Sequence, residues 1–215
     1  MSAIKVPPSR QTRPESDLQQ GAILAVASEE FVLHGLRGAR LEDIAAQSGV
    51  TRAMIYYYFK SREGLYVATL EAAYHSIRTA EQALELDDDP VRALKQLVAF
   101  RVHYYAENPQ FVGLVNIENQ HGARLLRQSD ALRSGSDALA RTAAVLAAGQ
   151  ASGVFRRQVT ALELHRIMVS LGFFNASNRH TFGQIFQNDL SDTAQLDATC
   201  VLATDVVLRF ACEMR

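Results

Sequence analysis

Between residues 51 and 62 the chain places Thr51, Arg52, Ala53, Met54, Tyr56, Tyr57, Lys60 and Arg62. These side chains hold no acid–base pair and no metal-ligand spacing. They are chiefly donors: two guanidiniums, an ammonium and two phenols, with small or soft apolar groups between them. An arginine can bridge two acceptors on a base edge, and an alanine lets the backbone approach and touches a thymine methyl. Tyrosine hydroxyls and lysine ammoniums meet phosphate oxygens. The chemistry this spacing suits is recognition of an acceptor-rich surface, not bond making.

The elements that must position these groups are legible in residues 41–59, LEDIAAQSGVTRAMIYYYF. Leu41, Ile44 and Ala45 form the apolar stripe of a short helix, and Ala45 and Ala46 are small enough for a close helix crossing. Gly49 is suited to end that helix in a conformation other residues resist. Val50 plugs the angle, and Thr51 is a good cap for a second helix. Ile55, Tyr58 and Phe59 hold that second helix inward, so Thr51, Arg52, Ala53, Met54, Tyr56 and Tyr57 face outward. This is the pattern of a helix-turn-helix, whose second helix reads base edges with its N-terminal residues, which makes Arg52 the expected specific reader. Lys60 and Arg62 stand beside the next helix N-terminus, where amides and side-chain charge together can clamp a phosphate.

The stretch from Gly35 through Leu65 resembles the DNA-binding domain of the tetracycline-repressor (TetR-type) family. The residues that carry the resemblance are Asp43-Ile44-Ala45, the Gly49-Val50-Thr51 turn, and the exit Tyr56-Tyr57-Tyr58-Phe59-Lys60-Ser61-Arg62-Glu63-Gly64-Leu65. Upstream, Ile23-Leu24, Ala27, Phe31 and Gly35 fit the family's first helix. The resemblance covers about the first third of the chain. It implies an all-α fold, with a three-helix head joined by a long fourth helix to a helical body. It also implies homodimers formed through the last two long helices, double-stranded operator DNA as partner, and a small-molecule effector whose identity it does not specify. Repression is the commoner mode in the family. Gly153-Val154-Phe155-Arg156 resembles the loop before the eighth helix of many members. Three departures stand out: Arg40 replaces the usual Ser or Thr cap of the second helix and becomes a candidate phosphate contact, Glu30 occupies a usually apolar position, and Met54 and Tyr57 replace a small polar residue and a His. A dimer follows also from the recognition argument, since one small head makes few contacts.

The rest of the chain reads as helices with no strand pattern. We expect a flexible arm over 1–15, with Pro7, Pro8 and Pro14; a helix-turn-helix domain over 16–61; and a helical ligand-binding and dimerisation domain over 62–215, about nine helices in all. Ser16 with Gln19 predicts a capping box, Ser61 caps a helix reaching about Leu86, and Asp89-Pro90 opens the next, which Pro109 ends. Further helices are expected near 110–120, 125–151 (weak near Ser134-Gly135-Ser136), from the Thr160–Glu163 capping box to about Asn175, and from Asp192 to Cys212. In the body, three groups of polar and aromatic residues could line a cavity: Arg101, Tyr104 and Tyr105; Asn116 and Asn119; and Phe173, Phe174 and Asn178. Val201, Leu202, Val206, Leu208 and Phe210 give the last helix apolar surface on more than one face, to which Leu139, Ala143, Leu146, Leu164, Met168 and Leu171 could add.

Composition excludes several alternatives. The net charge is −1, but eight basic residues face six acidic ones through residue 62, against fourteen and seventeen after it: a mildly basic head on an acidic body. No apolar run approaches the roughly 20 residues of a membrane span, and the N-terminus lacks the apolar centre of a signal peptide, so the expected location is the cytoplasm. Cys200 and Cys212 fall about 18 Å apart on one helix at ~1.5 Å per residue, too far for a disulfide, and no zinc spacing surrounds them. The sequence lacks a Gly-x-Ser-x-Gly elbow, a phosphate loop, a Cys-x-x-Cys pair and a His-Glu-x-x-His helix. Neither an enzyme nor a resident cofactor or metal is expected, and His103 or His121 near Glu118 is a poor acid–base pair. The other rival, a DNA binder without an effector, would have a cavity-free body with Arg101 and Asn119 buried against packed side chains.

Overall fold

Helix signals in this sequence are strong enough to name each element from its ends. The computed structural model describes residues 13–133, 136–156 and 158–212; most of the expected N-terminal arm (1–12) and the Ser134-Gly135 weak point lie outside them. The described residues are all-α, with no strand, and divide into two compact units, one through Thr69 and one from Leu70.

In the first unit, α1 (Arg13–Gly38) buries Ile23, Ala27 and Phe31 completely, four residues apart on one face. It begins at Arg13, so Ser16 lies inside the first turns instead of capping them, and its hydroxyl accepts from the Gln20 amide at 3.2 Å. At Gly35 the backbone takes φ 70°, which kinks the chain out of the helix. Helices α2 (Leu41–Gln47) and α3 (Arg52–Phe59) follow, and α4 (Arg62–Gln82) contributes its first turns. Leu65 and Tyr66 are fully buried, and the Tyr66 ring meets Phe31 edge-on at 5.0 Å. The first core therefore needs residues beyond 61, which is why the unit closes at Thr69 and not at the start of α4.

The second unit is organised around α5 (Pro90–Glu107). Asp89 caps it, accepting from the Arg92 amide at 2.8 Å, with Pro90 in the first turn. After α6 (Pro109–Gln120), a 3-10 turn (Leu126–Gln128) and the short α7 (Asp130–Arg133), the long helices α8 (Ser136–Ala151), α9 (Ala161–Phe186) and α10 (Thr193–Cys212) surround α5. Leu94, Leu97 and Val102 of α5 meet Val145 and Leu146 of α8, Leu164 and Met168 of α9, and Ala203 and Val207 of α10 in one core. Each such side chain is worth about 1.5–3 kcal/mol when fully buried. Leu146, Leu164 and Met168 are thus consumed in this core and cannot add to an outer interface, whereas Val201, Leu202 and Val206 remain exposed.

Three boundaries differ from expectation. The α4 helix stops at Gln82 and not near Leu86, and Arg141 caps it by donating to the Gln82 and Leu84 carbonyls at 2.8 and 2.5 Å. The segment 125–151 is not one helix: it opens with the 3-10 turn Leu126–Gln128, which ends at an extended Ser129, and α7 and α8 follow as separate helices. Conversely, α9 passes straight through Asn175 to Phe186. The Asn175 and Asn178 side chains donate back to the Leu171 and Phe174 carbonyls one turn earlier, so neither competes for the helix backbone ahead. The two cysteines are half-buried and neither is in a disulfide.

Gly149 lies beneath the buried Phe155 ring, where a Cβ would overlap the ring itself. Gly149→Ala should lower stability by about 1–3 kcal/mol through overpacking, despite alanine's better helix propensity. Gly21→Ala, where a Cβ meets nothing within 4 Å, should raise it by up to about 1 kcal/mol. Urea unfolding followed by circular dichroism distinguishes the two signs; equal shifts would contradict this packing.

Candidate functional site

The turn between α2 and α3 has the form its residues demand. Gly49 takes φ 69°, the Val50 amide returns to the Ala45 carbonyl at 3.0 Å, and the Thr51 hydroxyl accepts from the Met54 amide at 3.3 Å. Ile55 and Phe59 are buried, and half-buried Tyr58 donates to Gln19 Oε1 at 3.1 Å. That leaves Thr51, Arg52, Ala53, Tyr56 and Tyr57 exposed on the outer face of α3, with Met54 half-buried beside them. Tyr57 is 71% exposed.

Arg52 is braced on two sides. Its Nη1 lies 2.7 Å from Glu42 Oε1, and its Nη2 donates to the Tyr56 hydroxyl at 3.2 Å with the guanidinium over the Tyr56 ring. The hydroxyl of Tyr56 and the charge of Glu42 hold Arg52 above its ordinary basicity. Glu42 itself is held below the usual carboxylate range by its own backbone amide at the start of α2 and by Arg52. Lys60 closes α3 at φ 66°, its Nζ donating to the Tyr57 carbonyl at 2.7 Å while lying over the Tyr57 ring. Ser61 Oγ accepts from the Gly64 amide at 2.9 Å and so caps α4. Arg62 is half-buried, and one of its N–H groups is given to the Arg37 carbonyl at 3.1 Å.

Two departures from the family pattern meet at the start of α2. Arg40 makes no side-chain cap on α2. Buried Glu30 reaches from α1 and accepts from the N-cap residue's own amide, that of Arg40, on Oε1 at 3.1 Å, the donor that a glutamate at the third helical position takes in a capping box. The Arg40 side chain stays exposed, 3.8 Å from Asp43.

In the body unit, a cavity of about 250 Å³ is bounded by Tyr74, Ile77, Arg78 and Glu81 of α4, Arg101 and Tyr105 of α5, Phe111 and Val115 of α6, Leu132 of α7, and His165, Val169 and Phe173 of α9. Glu81 and Arg101 are both buried and pair at 2.7 Å. The Arg101 Nε and His165 Nδ1 atoms are buried without a hydrogen-bond partner among the described residues. Burial, with the Arg101 charge adding to it, pushes the His165 imidazole down to about 4, so it is neutral at neutral pH. Burial likewise pushes the Tyr74 and Tyr105 phenols up, keeping them protonated.

Of the body residues expected at a cavity, Arg101, Tyr105 and Phe173 line this one. Tyr104 packs behind it against Phe100 and Phe111, its hydroxyl on Ser76 at 3.1 Å. Asn116 is half-buried on α6 and Asn119 is exposed at its end; neither lines the cavity. Phe174 faces out at 47% exposure against Phe182, and Asn178 bonds to its own helix. Sequence reasoning missed Glu81 and His165. Their signal was periodic: Tyr74, Ile77, Arg78 and Glu81, and His165, Val169 and Phe173, recur at three- and four-residue steps on single helix faces.

Comparison with known proteins agrees with this architecture. Residues 23–69 match the family model described as bacterial regulatory proteins of the tetR family, and residues 90–207 match the tetracyclin repressor-like C-terminal domain. The chain is 36% identical over 197 residues to the HTH-type transcriptional repressor NicS of Pseudomonas putida, covering 91% of this chain and 93% of that protein. It is 34% identical over 105 residues, about half of each chain, to the HTH-type transcriptional regulator RutR of Escherichia coli. A tetR-family regulatory protein from Rhodococcus shares the fold, with a TM-score of 0.68 at 19% identity over 91% of this chain and 98% of that one. No helix among the described residues is long and apolar enough to cross a membrane.

The depressed His165 gives a pH test. The folded protein resists protonating His165 until about pH 4, whereas the unfolded chain takes the proton near the ordinary value of 6.5. Its stability is therefore full above 6.5 and falls as pH drops from 6.5 toward 4. Denaturation midpoints across that window should fall less steeply in His165→Gln than in the parent; parallel slopes would contradict the buried, neutral imidazole.

Proposed function

The chain belongs to the tetracycline-repressor family of bacterial transcriptional regulators, and from that premise we propose that it binds a palindromic operator as a homodimer and lets go when a small molecule occupies the body cavity. The observation that carries the reading is the outer face of α3, where Arg52, Ala53, Tyr56 and Tyr57 are exposed together on a helix fixed from behind by Ile55 and Phe59. Arg52 reads a base edge, Tyr56 and Tyr57 meet phosphate, sugar or a thymine methyl, and Arg40, Thr51, Lys60 and Arg62 fix the backbone. The brace from Glu42 and Tyr56 sets the Arg52 guanidinium before DNA arrives, so less rotamer freedom is lost on binding. Met54, half-buried beside them, adds an apolar contact.

Two heads are required, because α3 is two turns long and touches few base pairs. Exposed Val201, Leu202 and Val206 on α10, with Leu162, Ile185 and Phe186 on α9, supply an apolar surface suited to a partner subunit. In the dimer the recognition helices reach successive major grooves about 34–36 Å apart, or a further turn away. Four cavity-lining side chains come from α4, whose first turns complete the head core. A molecule that fits the cavity in only one position of α4 shifts the population toward that position and changes the spacing of the two heads. The protein works in the cytoplasm and acts as a repressor, the role named for NicS, which it resembles over most of its length.

Gel-shift titration of the DNA flanking its own gene tests this reading. The wild type should bind sequence-specifically with a steep salt dependence, and Arg52→Ala should lose on the order of 10- to 100-fold of that affinity, the worth of one good base contact. Tyr56→Ala should weaken binding as well. Failure to bind any duplex, specific or not, would refute the reading. On the dimer, the Leu202→Glu/Val206→Glu variant should sediment as a folded monomer and bind the operator much more weakly; an unchanged dimer would place the interface elsewhere.

A further inference from the structure

The chemical class of the cavity's occupant is open so far, and the wall constrains it. At about 250 Å³ the space is below the roughly 300–1,000 Å³ typical of drug-sized ligands, which sizes it for one ring or a fused pair. One side is aromatic. The Tyr105 and Phe111 rings lie nearly parallel, at 11° and 5.9 Å between centroids, while Phe173 stands edge-on to Tyr105 at 5.5 Å. Flat faces and edges in this arrangement accept another planar ring by offset stacking or edge contact.

The opposite character comes from Glu81, Arg101 and His165, which one ion pair and one electrostatic coupling tie together, and from Arg78, which lines the same cavity from α4. Glu81 is the wall's one carboxylate among the described residues, and it is already spent on Arg101 Nη2. Arg78 carries a second positive charge, and His165 is neutral. Buried Glu118 on α6 is not part of the lining and accepts from the Leu126 amide at 2.9 Å. Counted over the lining residues alone, the wall carries one positive charge in excess. It also presents an orphan donor, Arg101 Nε, on a side chain 6% exposed, and an orphan ring nitrogen, His165 Nδ1. A buried donor without an acceptor costs free energy that a ligand acceptor can restore.

We propose that the cavity binds a small planar aromatic monoanion, a ring carrying one carboxylate, with the carboxylate at the Arg78, Arg101 and His165 cluster and the ring against Tyr105, Phe111 and Phe173. This rests on the reading of the cavity as the effector site. A carboxylate brings two acceptors in one plane and the single negative charge the wall lacks. A neutral ring would satisfy the aromatic side alone, and a cation would face two guanidiniums.

Calorimetric titration of the full-length protein with benzoate, benzamide and benzylamine decides the matter. Benzoate should bind on the order of tenfold or more tighter than benzamide, the worth of a charged hydrogen bond, and benzylamine should not bind. Arg78→Gln should remove most of the preference for benzoate while leaving benzamide unchanged. Val169→Trp, checked for folding by circular dichroism and for operator binding, should fill the cavity and abolish both. Benzamide binding as tightly as benzoate, with loss in Val169→Trp, would overturn the anion and leave the cavity as the ligand site. Benzoate binding unaltered in folded Val169→Trp would instead remove the site from this cavity. Absence of binding by all three to protein that still grips its operator would overturn the proposed ligand class without touching the DNA-binding reading.

Discussion

The ion pair between Glu81 and Arg101 fixes the character of the body unit. Both side chains are more than nine-tenths buried, so each requires the other: removing one partner of a buried pair typically costs about 3–5 kcal/mol. The pair joins α4 to α5, the helix around which α8, α9 and α10 are packed. It also leaves Arg101 half satisfied, with Nη2 bonded and Nε bare. A hydrophobic pair of similar volume would pack these helices as well or better. The retention of charge here, next to a hollow and beside a neutral histidine, is better explained by what the hollow holds than by stability.

In the head unit the corresponding constraint is the exposed face of α3, and several interactions serve it from behind. Glu30 reaches from α1 to hold the Arg40 amide at the start of α2, while the Arg40 side chain stays exposed. Glu42 and Tyr56 flank Arg52. Exposed ion pairs of this kind contribute little to folding, about 0–1 kcal/mol, so the value of the Glu42 brace lies in orientation. Units of such different chemistry, one presenting donors outward and one enclosing them, share the helix α4, and the proposed regulation uses that continuity.

Much of the head was legible in the sequence because its determinants are local. A glycine at 49, a threonine at 51 and apolar residues at 41, 44, 55 and 59 fix the turn and both helix faces within nineteen positions. The joint role of Glu30 and Arg40 was not legible, since ten residues and a kink separate them. The cavity was legible only in part. Arg101 and Tyr105 stand out as polar groups in an apolar stretch, but whether Asn119 or Glu81 joins them depends on how α4, α5, α6 and α9 pack, which no local spacing encodes. Asparagines at 116, 119, 175 and 178 drew notice by type alone; two of them bond to their own helix and none lines the cavity. Helix ends failed where a distant side chain set them, as Arg141 does for α4.

The central claim, a two-fold symmetric reader of duplex DNA, is tested most directly by selecting bound sequences from a random double-stranded pool with the purified full-length protein. The account predicts enrichment of one inverted repeat whose half-site centres lie about 34–36 Å apart, or a turn further. A pool recovered without enrichment, or a single asymmetric site bound by one subunit, would contradict it.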